Sequence, residues 1–152
     1  MPNFSKTHRI QHSVDEMFAL VADVEKYPEY VPLCQALSIR SQREKAGRRI
    51  LLADMTAGYK SVRETFTCQV ILQPKEHIIQ VSYIDGPFKY LDNKWHFSEQ
   101  GKGRCEVQFE LDYEFKSKAL ALLLGSMFDR AFAHFTKAFE ERADELYGHN
   151  SA

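Results

Sequence analysis

One segment near the C-terminus constrains the fold more than any other part of the chain. From Arg104 to Phe115 polar and apolar side chains alternate without exception, and a helical period follows from about Lys118 to Tyr147. The alternation predicts a half-buried antiparallel strand with water on one face. The helix would be about 45 Å long, and its apolar positions cover roughly half of its circumference. A sheet is therefore needed to cover it.

The rest of the chain supplies that sheet. A strand is predicted from Phe4 to Gln11, and Ser13 with Glu16 forms a capping box that opens a helix to about Val24. A second short helix is expected around Pro28, and six strands in hairpin sequence then end at Phe115. We predict an α+β fold, with a curved antiparallel sheet of about seven strands around a long C-terminal helix and two short helices after the first strand. One domain over residues 1–148 and a tail over 149–152 are expected.

Composition narrows the class of protein. The 152 residues carry 20 Lys and Arg against 21 Asp and Glu, so neither DNA nor an anionic membrane is expected to attract the chain non-specifically. No signal peptide is recognisable at the N-terminus, and the longest apolar stretch is far short of the roughly 20 residues of a spanning helix. We expect a soluble, cytoplasmic protein whose contact with an inner membrane would be peripheral. Three scattered cysteines predict buried free thiols and no metal site.

Aromatic residues make up 12% of the chain, and many share the phase of the buried faces. A curled sheet that grips a helix tends to leave a space between the two, and aromatic side chains line pockets as well as fill cores. From the pattern alone, an ordinary packed core and a cavity wall both remain open.

Several short segments, in order, resemble one superfamily. They are Tyr30-Val31-Pro32-Leu33-Cys34, Asp85-Gly86-Pro87-Phe88, Trp95-His96-Phe97, Phe139-Glu140-Glu141-Arg142-Ala143 and Leu146-Tyr147-Gly148. Together they resemble the helix-grip superfamily of START lipid-transfer domains and polyketide cyclase-like proteins, and within it the coenzyme Q-binding START-domain family. The resemblance spans nearly the whole chain.

The resemblance implies a hydrophobic cavity that binds ubiquinone, as a carrier or chaperone that supports respiration. Ubiquinone would be a bound ligand, and no catalytic cofactor is implied. The same resemblance reaches bacterial relatives described as ribosome association toxins, so a ribosomal partner stays open, although the near-neutral charge weighs against a large RNA surface. The residues expected to contact the ligand are Phe66, Tyr83, Trp95, Phe97, Phe109, Phe115, Leu124, Phe128, Phe132 and Phe135.

Two further groups of residues are candidates. Tyr30, Val31, Pro32 and Leu33 place apolar side chains in a connection, which fits a lid, a tip that touches a membrane, or a plug for one end of the core. Glu64 and Arg142 share the phase of buried positions. They could pair with each other, bind a quinone oxygen, or lie at the rim in contact with water.

Catalysis is not expected, and no catalytic residue is assigned. The chain has no nucleophile motif, phosphate-binding loop or metal-ligand spacing. A cyclase or hydrolase would need polar groups to converge at the cavity floor, for which Tyr83, Glu64 and Asp54 are the candidates. Gly125 lies inside the predicted long helix, where it could allow a bend, a close ligand or a close strand.

Overall fold

The computed structural model describes residues 3–59 and 62–148, without the side chains of residues 3, 59, 62 and 132. The predicted tail, residues 149–152, lies outside the described residues, so the division into domain and tail stays a prediction. A 3-10 helix, Val24–Glu29, follows the first α-helix. The strands are β1 (Asn3–Ile10), β2 (Cys34–Lys45), β3 (Arg48–Tyr59), β4 (Val62–Gln73), β5 (Ile78–Asp85), β6 (Phe88–Glu99) and β7 (Cys105–Phe115), and the helices are α1 (Val14–Ala22), α2 (Lys118–Ala133) and α3 (Phe135–Tyr147).

The seven strands form one curved antiparallel sheet, as predicted, in the order β1-β7-β6-β5-β4-β3-β2. Strand β7 is its clearest member, because all six apolar side chains of its alternation are buried and the intervening polar ones are not. Each of these apolar side chains faces the helices, and the alternation thus determines which face of the sheet is internal.

The start of α1 follows its sequence signature. Ser13 Oγ accepts a hydrogen bond from the Glu16 amide, and the Ser13 amide donates to Glu16 Oε1, each over 3.1 Å. Just before this cap, the buried ring of His12 places Nε2 2.7 Å from Asp144 Oδ1. That contact connects the β1–α1 junction to α3.

The single C-terminal helix predicted from Lys118 to Tyr147 is wrong in one respect. The helix is interrupted at His134, whose backbone has φ −108° and ψ 3° and whose amide donates to the Ala131 carbonyl three residues earlier. Beside the break, the Ala133 carbonyl accepts a hydrogen bond from Lys6 Nζ over 3.1 Å. A side chain from β1 therefore satisfies a helix carbonyl at the interruption, an arrangement that accompanies helix kinks.

Gly125 does not cause the break, because it lies within α2 and a Cβ atom there would meet nothing within 4 Å. Neither a bend nor a close strand explains this glycine.

We expect Gly125→Ala to stabilise the protein by about 0.5–1 kcal/mol, the helix-propensity difference. Gly86→Ala should instead destabilise it by about 2 kcal/mol, since Gly86 has φ +146° and its Cβ would lie 2.5 Å from that of Phe66. Urea unfolding of both variants measures the two changes, and equal shifts would contradict the prediction.

Candidate ligand-binding cavity

A cavity of about 110 Å³ lies between the concave face of the sheet and the helices. Strands β2 to β7 form its wall, the segment after the 3-10 helix closes one side, and α2 and α3 cover it. Its lining residues are Val24, Tyr27, Val31, Pro32, Leu33, Cys34, Leu37, Ala53, Met55, Ala57, Phe66, Cys68, Val70, Ile79, Val81, Phe88, Leu91, Asn93, Trp95, Phe109, Leu111, Phe128, Ala131 and Phe135. The sheet and helices thus enclose a space whose wall is almost entirely hydrocarbon and aromatic.

The structure divides the predicted ligand contacts into two groups. Phe66, Trp95, Phe109, Phe128 and Phe135 line the cavity. Tyr83, Phe97, Phe115 and Leu124 do not line it; they pack into the surrounding core. The side chain of Phe132 lies outside the described residues. Both interpretations of the aromatic pattern therefore hold in part, since the same stripe supplies the cavity wall and the packed layer behind it.

Phe88 was missed by the sequence analysis, although it is central to the wall. Its ring is 1% exposed and lies 5.0 Å from that of Phe115, 5.3 Å from that of Phe66 and 5.7 Å from that of Tyr83. The preceding Asp85-Gly86-Pro87 indicates a turn, and Phe88 follows it directly. The backbone resumes strand geometry at Phe88, which is the earliest position of β6.

Asn93 was also missed, and it is the only carboxamide among the described residues that line the cavity. Its Oδ1 accepts a hydrogen bond from Trp95 Nε1 over 3.1 Å, and its Nδ2 donates to the Glu110 carbonyl over 2.8 Å. An asparagine amide group has two N–H donors, so these two contacts leave the second N–H unused. The signal was present in the sequence, because Asn93 has the same phase as Leu91 and Trp95.

Three of the four predicted lid residues, Val31, Pro32 and Leu33, line the cavity. Leu33 has φ 66°, and its carbonyl accepts a hydrogen bond from the Gly58 amide at the end of β3 over 2.9 Å. The segment is therefore attached to the sheet by backbone and contributes apolar side chains to the interior.

Tyr30 turns away from the cavity and toward α3. Its ring packs edge-on against Phe139 at 5.3 Å, and the Arg142 guanidinium lies 5.1 Å from its centre. Arg142 Nη2 also donates to Glu29 Oε1 over 2.5 Å. Burial raises the pKa of Tyr30 well above its ordinary range, so the phenol stays neutral. These contacts hold the lid segment against α3.

The possible pairing of Glu64 with Arg142 is not observed. Arg142 binds Glu29 instead, and Glu64 lies half-buried in β4 opposite Ala57. The polar groups that a cyclase or hydrolase would need do not converge either. Hydrogen bonds from Thr67 and Arg40 lower the pKa of Asp54 on the other face of the sheet.

Two of the three cysteines contribute to the wall. Cys34 and Cys68 line the cavity, and all three cysteines are free and buried. Burial raises the pKa of the Cys34 thiol to about 11 and that of Cys68 to about 12. At neutral pH both are uncharged, so they act as small apolar groups and add no charge to the cavity.

No helix within the described ranges is long and apolar enough to cross a membrane.

Comparison with known proteins places the chain among others of the same architecture. A family model described as polyketide cyclase/dehydrase and lipid transport matches residues 10–140. The ribosome association toxin RatA of Vibrio cholerae is 32% identical over 148 residues, which cover 97% of this chain and 99% of the relative. The mitochondrial coenzyme Q-binding protein COQ10 homolog B of Xenopus laevis is 29% identical over 95% of this chain and 59% of its own length. A START superfamily protein of Mycobacterium smegmatis superposes with a TM-score of 0.79 at 23% identity, and the match covers 95% of this chain and 98% of that one. This superposition confirms the predicted fold, a curved antiparallel sheet around C-terminal helices.

Proposed function

The chain belongs to the polyketide cyclase/dehydrase and lipid transport family, and from that membership we propose that it binds a ubiquinone-like lipid in its central cavity as a carrier. It would act by enclosing its ligand, without chemical conversion. The observation that carries the proposal is the cavity wall, which is apolar except for Asn93, the Tyr27 hydroxyl and two neutral thiols. Such a wall favours hydrocarbon and aromatic surface over water.

The polar groups fit a quinone better than they fit a substrate for catalysis. Asn93 can donate one hydrogen bond into the cavity, which suits a quinone carbonyl oxygen. Tyr27 already donates its hydroxyl proton to the Val21 carbonyl, and burial raises its pKa well above the ordinary range. The described lining residues therefore contain no general base that could activate a nucleophile. This supports binding of a ligand over its chemical conversion. A relative named as a coenzyme Q-binding protein supports the same choice of ligand.

The volume of the cavity limits what it holds in this conformation. A value of 110 Å³ is slightly below the order of 150 Å³ at which an engineered apolar cavity binds benzene. A substituted quinone with an isoprenoid tail is larger, so binding requires the cavity to widen. The lid segment and α2, which border it, are the elements that would move.

Two measurements test the proposal. Organic extraction of the purified protein, followed by mass spectrometry, should recover an isoprenoid quinone. Short-chain ubiquinone added to the delipidated protein should quench the fluorescence of Trp95, which lines the cavity and is the chain's single tryptophan. Protein that carries no lipid and shows no saturable quenching would refute the carrier role.

Asn93→Leu should weaken quinone binding about 5- to 10-fold, the equivalent of one hydrogen bond of roughly 1 kcal/mol. Binding of an isoprenoid hydrocarbon without carbonyl groups should change little, because it accepts no hydrogen bond. The variant also leaves Trp95 Nε1 without its acceptor, which should lower stability by about 1–3 kcal/mol. Equal weakening for both ligands would show that Asn93 only supports the wall.

A second function is favoured by one surface feature and by the relatives named as ribosome association toxins. Residues 40–49, around the β2–β3 turn, are all exposed and include five cations and the carboxylate Glu44. Arg40 and Arg48 form ion pairs with Asp54 and Glu76, whereas Arg43, Lys45 and Arg49 form none with a described residue. Such a group of cations can contact phosphates. Under this alternative the protein sediments with ribosomal subunits, and the double variant Arg43→Glu/Lys45→Glu abolishes sedimentation. Protein found only at the top of the gradient would exclude it.

A further inference from the structure

The first turns of α2 carry the two most exposed leucines among the residues that the structure describes. Leu122 and Leu123 are 86% and 60% exposed, whereas Leu124 beside them is 2% exposed. Leu120 and Leu124 already supply the face that packs on the sheet. Core packing therefore does not account for the two exposed leucines. Two adjacent exposed leucines are unusual on a surface that contacts only water.

A third exposed apolar side chain lies at the same end of the molecule. Ile84, near the end of β5, is 53% exposed. The turn that follows it is joined to the connection that leads into α2, because the Lys116 amide donates to the Pro87 carbonyl over 2.9 Å. The register agrees, since Phe88 at the start of β6 pairs with Phe115 at the end of β7.

The cavity reaches this end. Phe66, Phe88 and Phe128 line it, and Gly86 in the turn after Ile84 lies against Phe66. The lid segment arrives here too, because the Leu33 carbonyl is bonded to Gly58 near the end of β3. The exposed apolar side chains therefore share one end of the sheet with the lid and with the aromatic part of the cavity wall.

The charges beside the exposed leucines are basic, and the exposed Asp85 is the carboxylate next to Ile84. Lys116 and Lys118 are exposed, neither forms an ion pair with a described residue, and the first turn of α2 contains no acidic residue. Lysine side chains next to buried apolar ones are favoured at a membrane surface, because the stem lies along hydrocarbon while the ammonium group reaches phosphates.

We infer that Ile84, Lys116, Lys118, Leu122 and Leu123 form a docking surface for an anionic lipid bilayer. The leucines and Ile84 enter the boundary between head groups and acyl chains, and the lysines bind lipid phosphates. The inference extends the proposed function by naming the surface from which a lipid cargo enters or leaves the cavity. Complementary charge favours a bilayer over a second copy of this chain, whose same surface would carry the same lysines.

The test is co-sedimentation of the full chain with two kinds of vesicle, phosphatidylcholine alone and phosphatidylcholine containing phosphatidylglycerol. We expect binding to the anionic vesicles that weakens in high salt. Leu122→Ser/Leu123→Ser should lower affinity at least about tenfold through lost apolar burial. Lys116→Gln/Lys118→Gln should lower affinity by about 25-fold, roughly fivefold for each lysine, and only for the anionic vesicles.

Leu146→Ser is the matched control, because Leu146 is 54% exposed near the end of α3 and lies outside the docking surface. It should bind vesicles like the unchanged protein. Absence of vesicle binding, or the same loss in the control as in the Leu122/Leu123 variant, would overturn the inference. So would size-exclusion chromatography that shows a dimer dissociated by the Leu122/Leu123 variant. Quenching of Trp95 by short-chain ubiquinone in the same variants separates the two proposals, since a docking failure leaves it unchanged.

Discussion

Replacing Ala53 by phenylalanine is expected to lower the affinity for a ubiquinone analogue by at least about 100-fold, the equivalent of roughly 2.7 kcal/mol. Ala53 is 5% exposed in β3 and lines the cavity. An aromatic side chain there would project into a space of 110 Å³ and occupy the volume that the ligand needs. Because that space is empty of protein atoms, the usual penalty for overpacking a core should be largely absent.

The expected signature is therefore a loss of binding without a loss of stability. Titration of Trp95 fluorescence measures the first, and thermal unfolding measures the second. Ala36→Phe makes the same substitution at an exposed position of β2 and should leave both quantities unchanged. If Ala53→Phe unfolds the protein, the space around Ala53 is tightly packed; if it binds ligand normally, the ligand lies elsewhere.

Phe139→Ala is expected to lower the free energy of unfolding by about 3–5 kcal/mol, the usual cost of truncating a buried aromatic side chain. Phe139 is 1% exposed. Its ring centre lies 5.0 Å from that of Trp95, 5.3 Å from those of Tyr27 and Tyr30, and 5.9 Å from that of Phe135. The residue thus joins α3, the lid segment and the cavity wall, and its removal leaves a void that none of them fills alone.

Urea unfolding gives the size of this effect, and Phe139→Leu is its control. Leucine keeps most of the volume, so it should cost no more than about 1.5 kcal/mol. A loss as small for alanine as for leucine would mean that the lid and α3 collapse into the space. That outcome would contradict the prediction that Phe139 keeps the lid segment and α3 apart by filling the space between them.

Local rules in the sequence predicted most of the fold. The alternation of β7 depends only on which face meets water, and the capping box at Ser13 and Glu16 satisfies amides within one turn of helix. The pairing of β2 through β7 follows because hairpin neighbours pair, whereas the pairing of β1 with β7 joins residues about 100 positions apart and was not predicted. The alternation, the cap and the hairpin pairings need no knowledge of distant residues, which is why they could be predicted.

Features that depend on distant partners were not predicted. The break at His134 involves Lys6, and the lid is held by Arg142 and Glu29, which are 113 positions apart. No periodicity encodes such contacts. The aromatic pattern could not decide between a cavity and a packed core, because a stripe of aromatic residues looks the same whether its side chains meet in the centre or leave a space.

The interruption at His134 divides the C-terminal helical segment into two halves with different attachments. The later half, α3, is fixed to the N-terminal elements through Asp144 and His12 and to the lid through Arg142. The earlier half, α2, covers the cavity through Phe128. Under the proposed carrier function, a shift of α2 about this interruption would widen the cavity while α3 keeps its contacts.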